Sequence, residues 1–177
     1  MRTLEVRRHS IREKPSPHLS QEGVALARRV GEEMGPFDLV LTSRLPRAFE
    51  TAIAMGFAVD RQVKKLGTGH LPKVGGEVDF ARGFSGWAEA VRRGGKAAKH
   101  ARRQAKLWRR IARELPDDGR ALLIGHEGIM EGGVLGCLPD LDVSGWGPNC
   151  RYCEGVRLFF DGERFVEVEL LRVDPIE

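Results

Sequence analysis

Hydrophobic and polar positions follow two distinct periods along this chain. Runs that alternate with period two, or that are apolar over a strand's length, predict β-strands at residues 3–7, 37–42, 121–125, 156–160 and 164–172. Apolar residues that recur every three or four positions predict helices at residues 21–34, 43–55, 90–115 and 127–136. Because strands alternate with helices, we predict an α/β fold: a three-layer sandwich whose central sheet is mainly parallel and flanked by helices, plus a C-terminal hairpin.

Local signals support several of these boundaries. Ser20 is a suitable N-cap for the first helix, and Gly35-Pro36 ends that helix. Pro46 is tolerated only in the first turn of the second helix. Asp161-Gly162 predicts a two-residue hairpin link between the last two strands.

The middle of the chain is the least regular part. Seven glycines and prolines interrupt residues 57–90, so we expect loops there, with one short strand, that cover or flank a site. Gly94-Gly95 can mark the start of the helix that follows. We interpret residues 1–177 as one domain in which about 57–118 form a variable insert or cap region with a basic helix.

Composition fits one domain with a single core. The chain has 177 residues, of which 41% are hydrophobic and 31% charged. No apolar run reaches the roughly 18 residues needed to cross a bilayer, and charged residues occupy the N-terminus where a signal peptide would be apolar. We therefore expect a cytoplasmic protein with no membrane partner, and the sequence leaves its oligomeric state open.

The net charge of +4 is unevenly distributed. Residues 92–113 contain ten Lys or Arg residues and no Asp or Glu, whereas the rest of the chain is acidic overall. This segment has the charge density for non-specific contacts with nucleic acid or another polyanion. Trp108 is its only aromatic residue and belongs to the apolar stripe, so we favour a solvated helix face and consider nucleic acid a possible but weaker partner.

Two histidines stand where predicted strands end. His9 follows the first strand and His126 follows the buried strand at 121–125. In open α/β sheets the ligand crevice lies beyond the carboxyl ends of the strands, so these two side chains can converge there. His18, His70 and His100 have no comparable position, and we treat them as structural or surface groups.

Arginines next to the first histidine suggest an anion pocket. Arg8 adjoins His9, and Arg44 and Arg47 are three residues apart near the start of the second helix. Guanidinium groups suit the charge and geometry of a phosphoryl group, and a histidine held among them can act as a nucleophile. For Arg44, a solvated surface position is an equally good interpretation.

In combination, these motifs identify a known family. Arg8-His9-Ser10, Leu19-Ser20-Gln21-Glu22-Gly23, Thr42-Ser43-Arg44-Leu45-Pro46-Arg47-Ala48-Phe49-Glu50-Thr51-Ala52, Gly125-His126-Glu127-Gly128 and Pro148-Asn149-Cys150 occur in this order. The set resembles the histidine phosphatase superfamily, the phosphoglycerate mutase-like proteins. The resemblance covers roughly residues 1–55 and 121–160.

The resemblance implies a mechanism without metal or cofactor. It implies that His9 accepts the phosphoryl group as a phosphohistidine, which water then hydrolyses, while Arg8, Arg47 and His126 hold the phosphoryl oxygens. Arg44 is a weaker candidate for the same role. Ser10 stands where the family most often has glycine, and its hydroxyl is a candidate phosphate donor.

The proton donor departs from the family pattern. Members that cleave phosphate esters usually carry a glutamate soon after the third strand, where this chain has Val63-Lys64-Lys65-Leu66. Glu127 is our first candidate for that acid and Glu77 the second, with Asp79 as a further carboxylate nearby. Without a clear donor, mutase activity is disfavoured.

This departure makes the chain similar to small family members that act on phosphohistidine proteins. Those members also lack an upstream donor and share the Gly-His-Glu sequence. An imidazole leaving group can depart already protonated, so it needs less acid assistance. The expected substrate is therefore a phosphorylated small molecule or a phosphoprotein, cleaved at a phosphomonoester or a phosphoramidate.

Other functional classes fit less well. A zinc protease motif fails because Met130 stands where the second helical histidine would be. Cys150 and Cys153 have a two-residue gap seen in metal and redox sites, with Cys137 as a third thiol, but we favour packed thiols. A non-catalytic relative that binds phosphate or nucleic acid through the basic helix at 92–113 remains the alternative function.

Overall fold

The computed structural model describes residues 1–174 as an α/β sandwich built on one six-stranded sheet. The strand order is β3-β2-β4-β1-β5-β6, in which the first four are parallel and the last two form an antiparallel hairpin. The strands are β1 (Arg2–Arg8), β2 (Leu39–Thr42), β3 (Arg61–Gln62), β4 (Arg120–Gly125), β5 (Gly155–Phe160) and β6 (Phe165–Leu171). The predicted fold class is confirmed.

Six α-helices connect and cover these strands. They are α1 (Gln21–Gly31), α2 (Pro46–Ala54), α3 (Leu71–Val74), α4 (Gly83–Arg93), α5 (Gly95–Glu114) and α6 (Ile129–Cys137), with 3-10 turns at Lys64–Leu66 and Phe80–Arg82. Ser20 is the N-cap of α1, where its hydroxyl accepts a hydrogen bond from the backbone N–H of Gly23. None of the helices in residues 1–174 is both long and apolar enough to cross a membrane.

Alternation along the strands divides the core into two layers. In β4, Ala121 and Leu123 face the layer formed by α4, α5 and α6, whereas Leu122 and Ile124 face α1 and α2. All four side chains are fully buried. The central strand is therefore apolar on both faces, as a strand covered by helices on both sides requires.

Residues 57–90 contain more helix than the sequence predicts. The loop expectation is wrong for residues 83–90, which form most of α4, and the predicted helix at 90–115 is two helices separated at Gly94. Gly86 lies within α4 without breaking it, and a Cβ at this position would lie 2.1 Å from the carbonyl oxygen of Asp79. This glycine permits a close approach of two backbone segments instead of ending a helix.

The hairpin link is longer than the predicted two residues. Residues 161–164 separate β5 from β6, and the Asp161 carboxylate accepts hydrogen bonds from the backbone N–H groups of Glu163 and Arg164. Gly162 within it has a φ of 113°. The Asp-Gly pair thus opens a four-residue turn that the aspartate stabilises.

Helices α5 and α6 pack in very close contact. A Cβ at Gly133 would lie 2.0 Å from the Trp108 ring, and one at Gly136 would lie 2.1 Å from the Ala101 carbonyl oxygen. Small residues on α6 therefore allow α5 to lie directly against it, and Trp108 is fully buried between them. This packing fixes the start of α6, which follows His126, relative to α5.

Candidate active site

The carboxyl ends of three parallel strands bring the predicted site residues together. The backbone pairing of β1 with β4 continues into His9, whose N–H donates to the Gly125 carbonyl over 2.9 Å. Ser43 follows β2 in the same way and donates to the Ile124 carbonyl. The rings of His9 and His126, 117 positions apart in the chain, consequently lie 5.0 Å apart between centroids.

A backbone hydrogen bond sets the tautomer of His9. Its Nδ1 lies 2.6 Å from the carbonyl oxygen of Ser10, and because a carbonyl only accepts, Nδ1 carries the proton. The opposite nitrogen, Nε2, is then a lone-pair acceptor, and the Arg47 Nε–H donates to it over 3.2 Å. His9 thus presents an unprotonated nitrogen directly to a guanidinium group.

Both histidines of the site are neutral. Burial, together with the charges of Arg47, Arg8 and Arg12, lowers the pKa of His9 to about 3. Burial and the neighbouring His9, Arg47 and Arg8 lower the pKa of His126 to about 2. Neutral His9 is the form that a nucleophile requires, since only this form keeps a lone pair on Nε2.

His126 is held by the strand end beside it. Its Nε2 lies 2.7 Å from the hydroxyl oxygen of Ser43, which is fully buried. Its Nδ1 is buried and has no hydrogen-bond partner within residues 1–174. A buried nitrogen of this kind suits a ligand that brings its own polar atoms.

Arg8 forms one wall of the pocket. It donates from Nη1 to the Cys150 carbonyl over 2.9 Å, and its guanidinium carbon lies 4.6 Å above the Tyr152 ring centroid. Its Nε is buried with no partner in the described part of the chain. Tyr152, which the sequence did not single out, also lies 5.8 Å from the His9 ring.

Arg12 also acts on this site through its charge, although the sequence motifs do not include it. Its charge acts on His9 and lowers the pKa of Arg47, for which burial is the larger cause. The only sequence feature that could have indicated Arg12 is its position, four residues after Arg8. Residues 9–19 form an irregular loop, so no periodic pattern in the sequence indicates where the Arg12 side chain points.

Neither Arg44 nor the Ser10 hydroxyl joins the residues around His9. Arg44 is exposed on the loop before α2. The Ser10 hydroxyl is fully buried and donates to the Gly23 carbonyl over 2.7 Å, while its backbone N–H donates to Thr51. Ser10 therefore fastens the His9 segment to α1 and α2 through hydrogen bonds, so its hydroxyl does not point to the anion pocket.

Of the two candidate proton donors, one lies beside the pocket. Glu127 is 40% exposed, with its carboxylate 3.6 Å from Arg8 Nη1 and accepting a hydrogen bond from Asn149 Nδ2 at 3.3 Å. Glu77 instead accepts hydrogen bonds from the backbone N–H groups of Lys96 and Ala97 at the start of α5. These hydrogen bonds lower the pKa of Glu77, which acts as a helix cap.

Two buried side chains hold the segment that carries Glu127. The Glu131 carboxylate accepts hydrogen bonds from the backbone N–H groups of Gly128 at 2.6 Å and Cys150 at 2.7 Å. His100 Nε2 lies 3.0 Å from the Gly128 carbonyl and donates to it. We predicted from the sequence that His100 is a structural or surface group. His100 is buried, and its contact with Gly128 places it beneath the site.

The three thiols form neither a disulfide nor a metal site among the described residues. Cys137, Cys150 and Cys153 are free, and burial raises the pKa of Cys153 to about 11. Among residues 1–174, no three His, Cys, Asp or Glu side chains are grouped in a way that could hold a metal ion.

Known proteins resemble this chain in structure and not in sequence. No family model matches the chain, and no curated protein matches it in sequence. Solved structures do match over nearly the full length. Phosphoserine phosphatase from Entamoeba histolytica, complexed with 3-phosphoglyceric acid, has a TM-score of 0.70 at 14% identity and covers 98% of both chains.

Two further structures agree with the first. A mycobacterial glucosyl-3-phosphoglycerate phosphatase complexed with VO3 has a TM-score of 0.65 at 17% identity, covering 98% of this chain and 100% of its own. Phosphoglycerate mutase from Bacillus anthracis has a TM-score of 0.64 at 15% identity, covering 96% and 92%. The chain has the histidine phosphatase fold.

The structural matches show that the backbone follows the histidine phosphatase fold. What the site can do chemically depends on the side chains of this chain. Neutral His9 and His126 lie close to Arg8 and Arg47, the charge of Arg12 acts on His9 and Arg47, and the Glu127 carboxylate lies beside Arg8. Such an arrangement can bind a dianion and attack it with a nitrogen nucleophile.

Proposed function

We propose that this protein is a phosphatase that hydrolyses a phosphomonoester or a phosphoramidate through a covalent phosphohistidine on His9. The observation that carries the proposal is the hydrogen bond from His9 Nδ1 to the Ser10 carbonyl, which leaves Nε2 unprotonated and facing Arg47, while the charges of Arg8 and Arg12 also act on the ring. Phosphoryl transfer depends mainly on position and on positive donors aimed at the equatorial oxygens.

In the first step, the Nε2 lone pair of His9 forms a bond to phosphorus while the bond from phosphorus to the leaving group breaks. Arg47 now donates to His9 Nε2, and it would pass its hydrogen bond to a phosphoryl oxygen when the substrate enters. Arg8, Arg12 and His126 would hold the remaining oxygens. The arginines supply the positive charge, so the proposed step uses no metal.

The leaving group receives its proton from Glu127 in this proposal. In the second step the same carboxylate takes a proton from water, whose oxygen attacks phosphorus and releases phosphate and neutral His9. Glu127 lies beside Arg8 at the open edge of the pocket, which supports this role. Solved neighbours include both phosphatases and a mutase, and we propose hydrolysis because Glu127, unlike Glu77, lies beside Arg8, where it would accept a proton from water.

The test compares wild type with His9→Ala in the presence of EDTA. We expect wild type to hydrolyse p-nitrophenyl phosphate or phosphohistidine and to accumulate an acid-labile phosphoenzyme after rapid quenching, and we expect the variant to do neither. Vanadate, which resembles the phosphoryl group in the transition state of its transfer, should inhibit the wild type. Turnover that persists in a folded His9→Ala variant, or that disappears with EDTA, would contradict the proposal.

A further inference from the structure

A cluster of like charges surrounds His70 near the candidate active site. Burial and the charges of Arg103, Lys73, Lys64 and Lys65 lower the pKa of His70, and Arg103 Nη1 lies 3.3 Å from its Nδ1. All five side chains are exposed. We call these five residues the basic rim.

The four permanent cations of the basic rim have no acidic partners nearby. Within residues 1–174, none of them has its nitrogen within 4.0 Å of a carboxylate oxygen. Residues 62–76 and 92–113 also contain no Asp or Glu. Some other surface arginines are paired, as Arg61 is with Glu114. Because unpaired like charges repel each other in the folded protein, this cluster favours an external anion.

The basic rim adjoins the phosphoryl pocket. The 3-10 turn that carries Lys64 and Lys65 packs against the end of β4, where a Cβ at Gly125 would lie 3.3 Å from the Leu66 carbonyl oxygen. Leu71, next to His70, contacts Gly128 in the loop that follows His126. A ligand that is longer than its phosphoryl group can therefore reach the basic rim while that group lies at His9.

The positive surface is longer than a small phosphate ester. From the basic rim it continues along the exposed side of α5, over about ten residues or 15 Å of helix. The additional exposed cations on this part of α5 are Lys96, Lys99, Arg102 and Lys106. A small ester would reach one or two of these charges, whereas an extended acidic chain can pair with several.

The surface lacks what single-stranded nucleic acid needs. Binding of bases relies on exposed aromatic rings on which they stack. Residues 62–76 contain no Phe, Tyr or Trp, and Trp108, the one such residue of 92–113, is fully buried. Flexible lysines spaced along a helix instead suit carboxylates distributed along a peptide.

We propose that the basic rim docks an acidic segment of a phosphorylated protein and so delivers its phosphoryl group to His9. This proposal rests on the phosphatase function proposed above and adds a substrate class to it. Docking lowers KM for acidic phosphopeptides. It leaves KM unchanged for small esters, which reach only the anion pocket at His9.

The test uses two phosphopeptides that differ only in their flanks. One carries Asp and Glu around the phosphorylated residue and the other Asn and Gln, each made with phosphoserine and with phosphohistidine. Wild type is expected to have a kcat/KM about tenfold higher for the acidic peptide, with the preference decreasing as salt is added. A 5′-phosphorylated oligonucleotide serves as the nucleic-acid comparison.

A charge-reversal pair identifies the surface responsible. Lys73→Glu/Arg103→Glu should abolish the preference for the acidic peptide and leave p-nitrophenyl phosphate turnover unchanged. Arg28→Glu/Arg164→Glu makes the same change of charge on exposed residues away from α5, in α1 and in the turn between β5 and β6, and should keep the preference. Equal effects of the two double variants would overturn the proposal.

Binding separates failure of docking from failure of catalysis. Fluorescence anisotropy with His9→Ala measures acidic-peptide affinity without turnover, and the basic-rim substitutions should weaken it in this background too. Loss of turnover with intact, rim-dependent peptide binding would contradict only the phosphatase function. Equal kcat/KM for both peptides, or a higher value for the oligonucleotide, would contradict only the acidic-peptide docking.

Discussion

Single side chains decide whether this pocket can hold a phosphoryl group. Arg12 and Arg44 are both arginines in segments that flank it, but they differ in environment. The charge of Arg12 reaches His9 and Arg47, whereas Arg44 is exposed on a loop. The two positions therefore form a natural pair for testing which guanidinium groups bind the anion.

We predict that Arg12→Gln lowers kcat/KM for p-nitrophenyl phosphate by about 10- to 100-fold, because a charge-assisted hydrogen bond contributes about 1.5–3 kcal/mol. Arg44→Gln, the matched control, should change it by less than about threefold. Steady-state kinetics on both variants, with circular dichroism to verify folding, gives the answer. A larger loss in Arg44→Gln than in Arg12→Gln would contradict this assignment.

The role of Glu127 has its own kinetic signature. Glu127→Gln preserves size but provides no ionisable proton, so hydrolysis of a phosphate ester should slow by about 100-fold or more. Hydrolysis of a phosphoramidate should slow much less, since its nitrogen leaving group can depart already protonated. Rates on both substrates are compared with those of Glu167→Gln, an exposed glutamate on β6. Equal slowing of both reactions would remove Glu127 as the proton donor.

Sequence reasoning reached residues that follow strands, and it missed those that approach from loops. His9 and His126 were found because parallel strands end at a common edge. Arg12 and Tyr152 come from segments without periodicity, so no pattern indicates where their side chains point. The hydroxyl of Ser10 shows the reverse case, in which an adjacent position in sequence faces away from the pocket.

At the scale of elements, the sequence pattern identified the strands better than it identified the residues that pack on their faces. Leu4 and Val6 predicted one buried face of β1, and both are fully buried. The opposite face carries Glu5, which is also fully buried and accepts hydrogen bonds from Arg7 at 2.6 Å and Arg157 at 3.0 Å. Partners from β5 cannot be inferred from the alternation of β1, since they depend on which strands pair.

Glycines misled the helix assignment for a related reason. A glycine disfavours a helix locally, but it permits close packing that only the folded molecule reveals. Gly86 in α4 and Gly133 in α6 are both such positions. The helix α4 was missed because its glycines were interpreted as interruptions of a loop region.

The contact between α5 and α6 provides a stability prediction. In an exposed helix Gly→Ala adds about 1 kcal/mol of stability. Gly133→Ala should instead destabilise the protein by about 1–3 kcal/mol, because the new Cβ would overlap the Trp108 ring. Gly76→Ala, where no atom lies within 4 Å of the new Cβ, should change stability by less than about 0.5 kcal/mol. Urea unfolding of both variants measures the difference, and an increase for Gly133→Ala would contradict the packing described.

At the scale of the whole molecule, the neutral histidines connect the site to folding. The pKa of His9 falls from 6.5 to about 3 on folding, and that of His126 falls to about 2. Below pH 6.5 the unfolded chain takes up protons at these positions while the folded protein does not. Protonation therefore favours the unfolded state, and the stability present above pH 6.5 is lost progressively as the pH falls towards 3.

We predict a measurable change in this slope when His9 is removed. Each such histidine contributes about 1.4 kcal/mol of lost stability per pH unit within that window. His9→Asn should accordingly lose stability less steeply than wild type when urea unfolding is followed between about pH 6 and 4. The comparison cancels the carboxylates, which are common to both proteins. Parallel curves for the two proteins would show that His9 is not neutral in the folded state.

In the proposed mechanism, the carbonyl of Ser10 also determines which chemical isomer of phosphohistidine can arise. Because His9 Nδ1 keeps its proton in the bond to this carbonyl, phosphorus can attach only to Nε2. The trapped adduct should be the tele isomer, and ³¹P–¹H correlation spectroscopy of the quenched protein distinguishes it from the pros isomer on Nδ1. One main-chain oxygen would thereby set the regiochemistry of the proposed reaction without forming or breaking any bond in it.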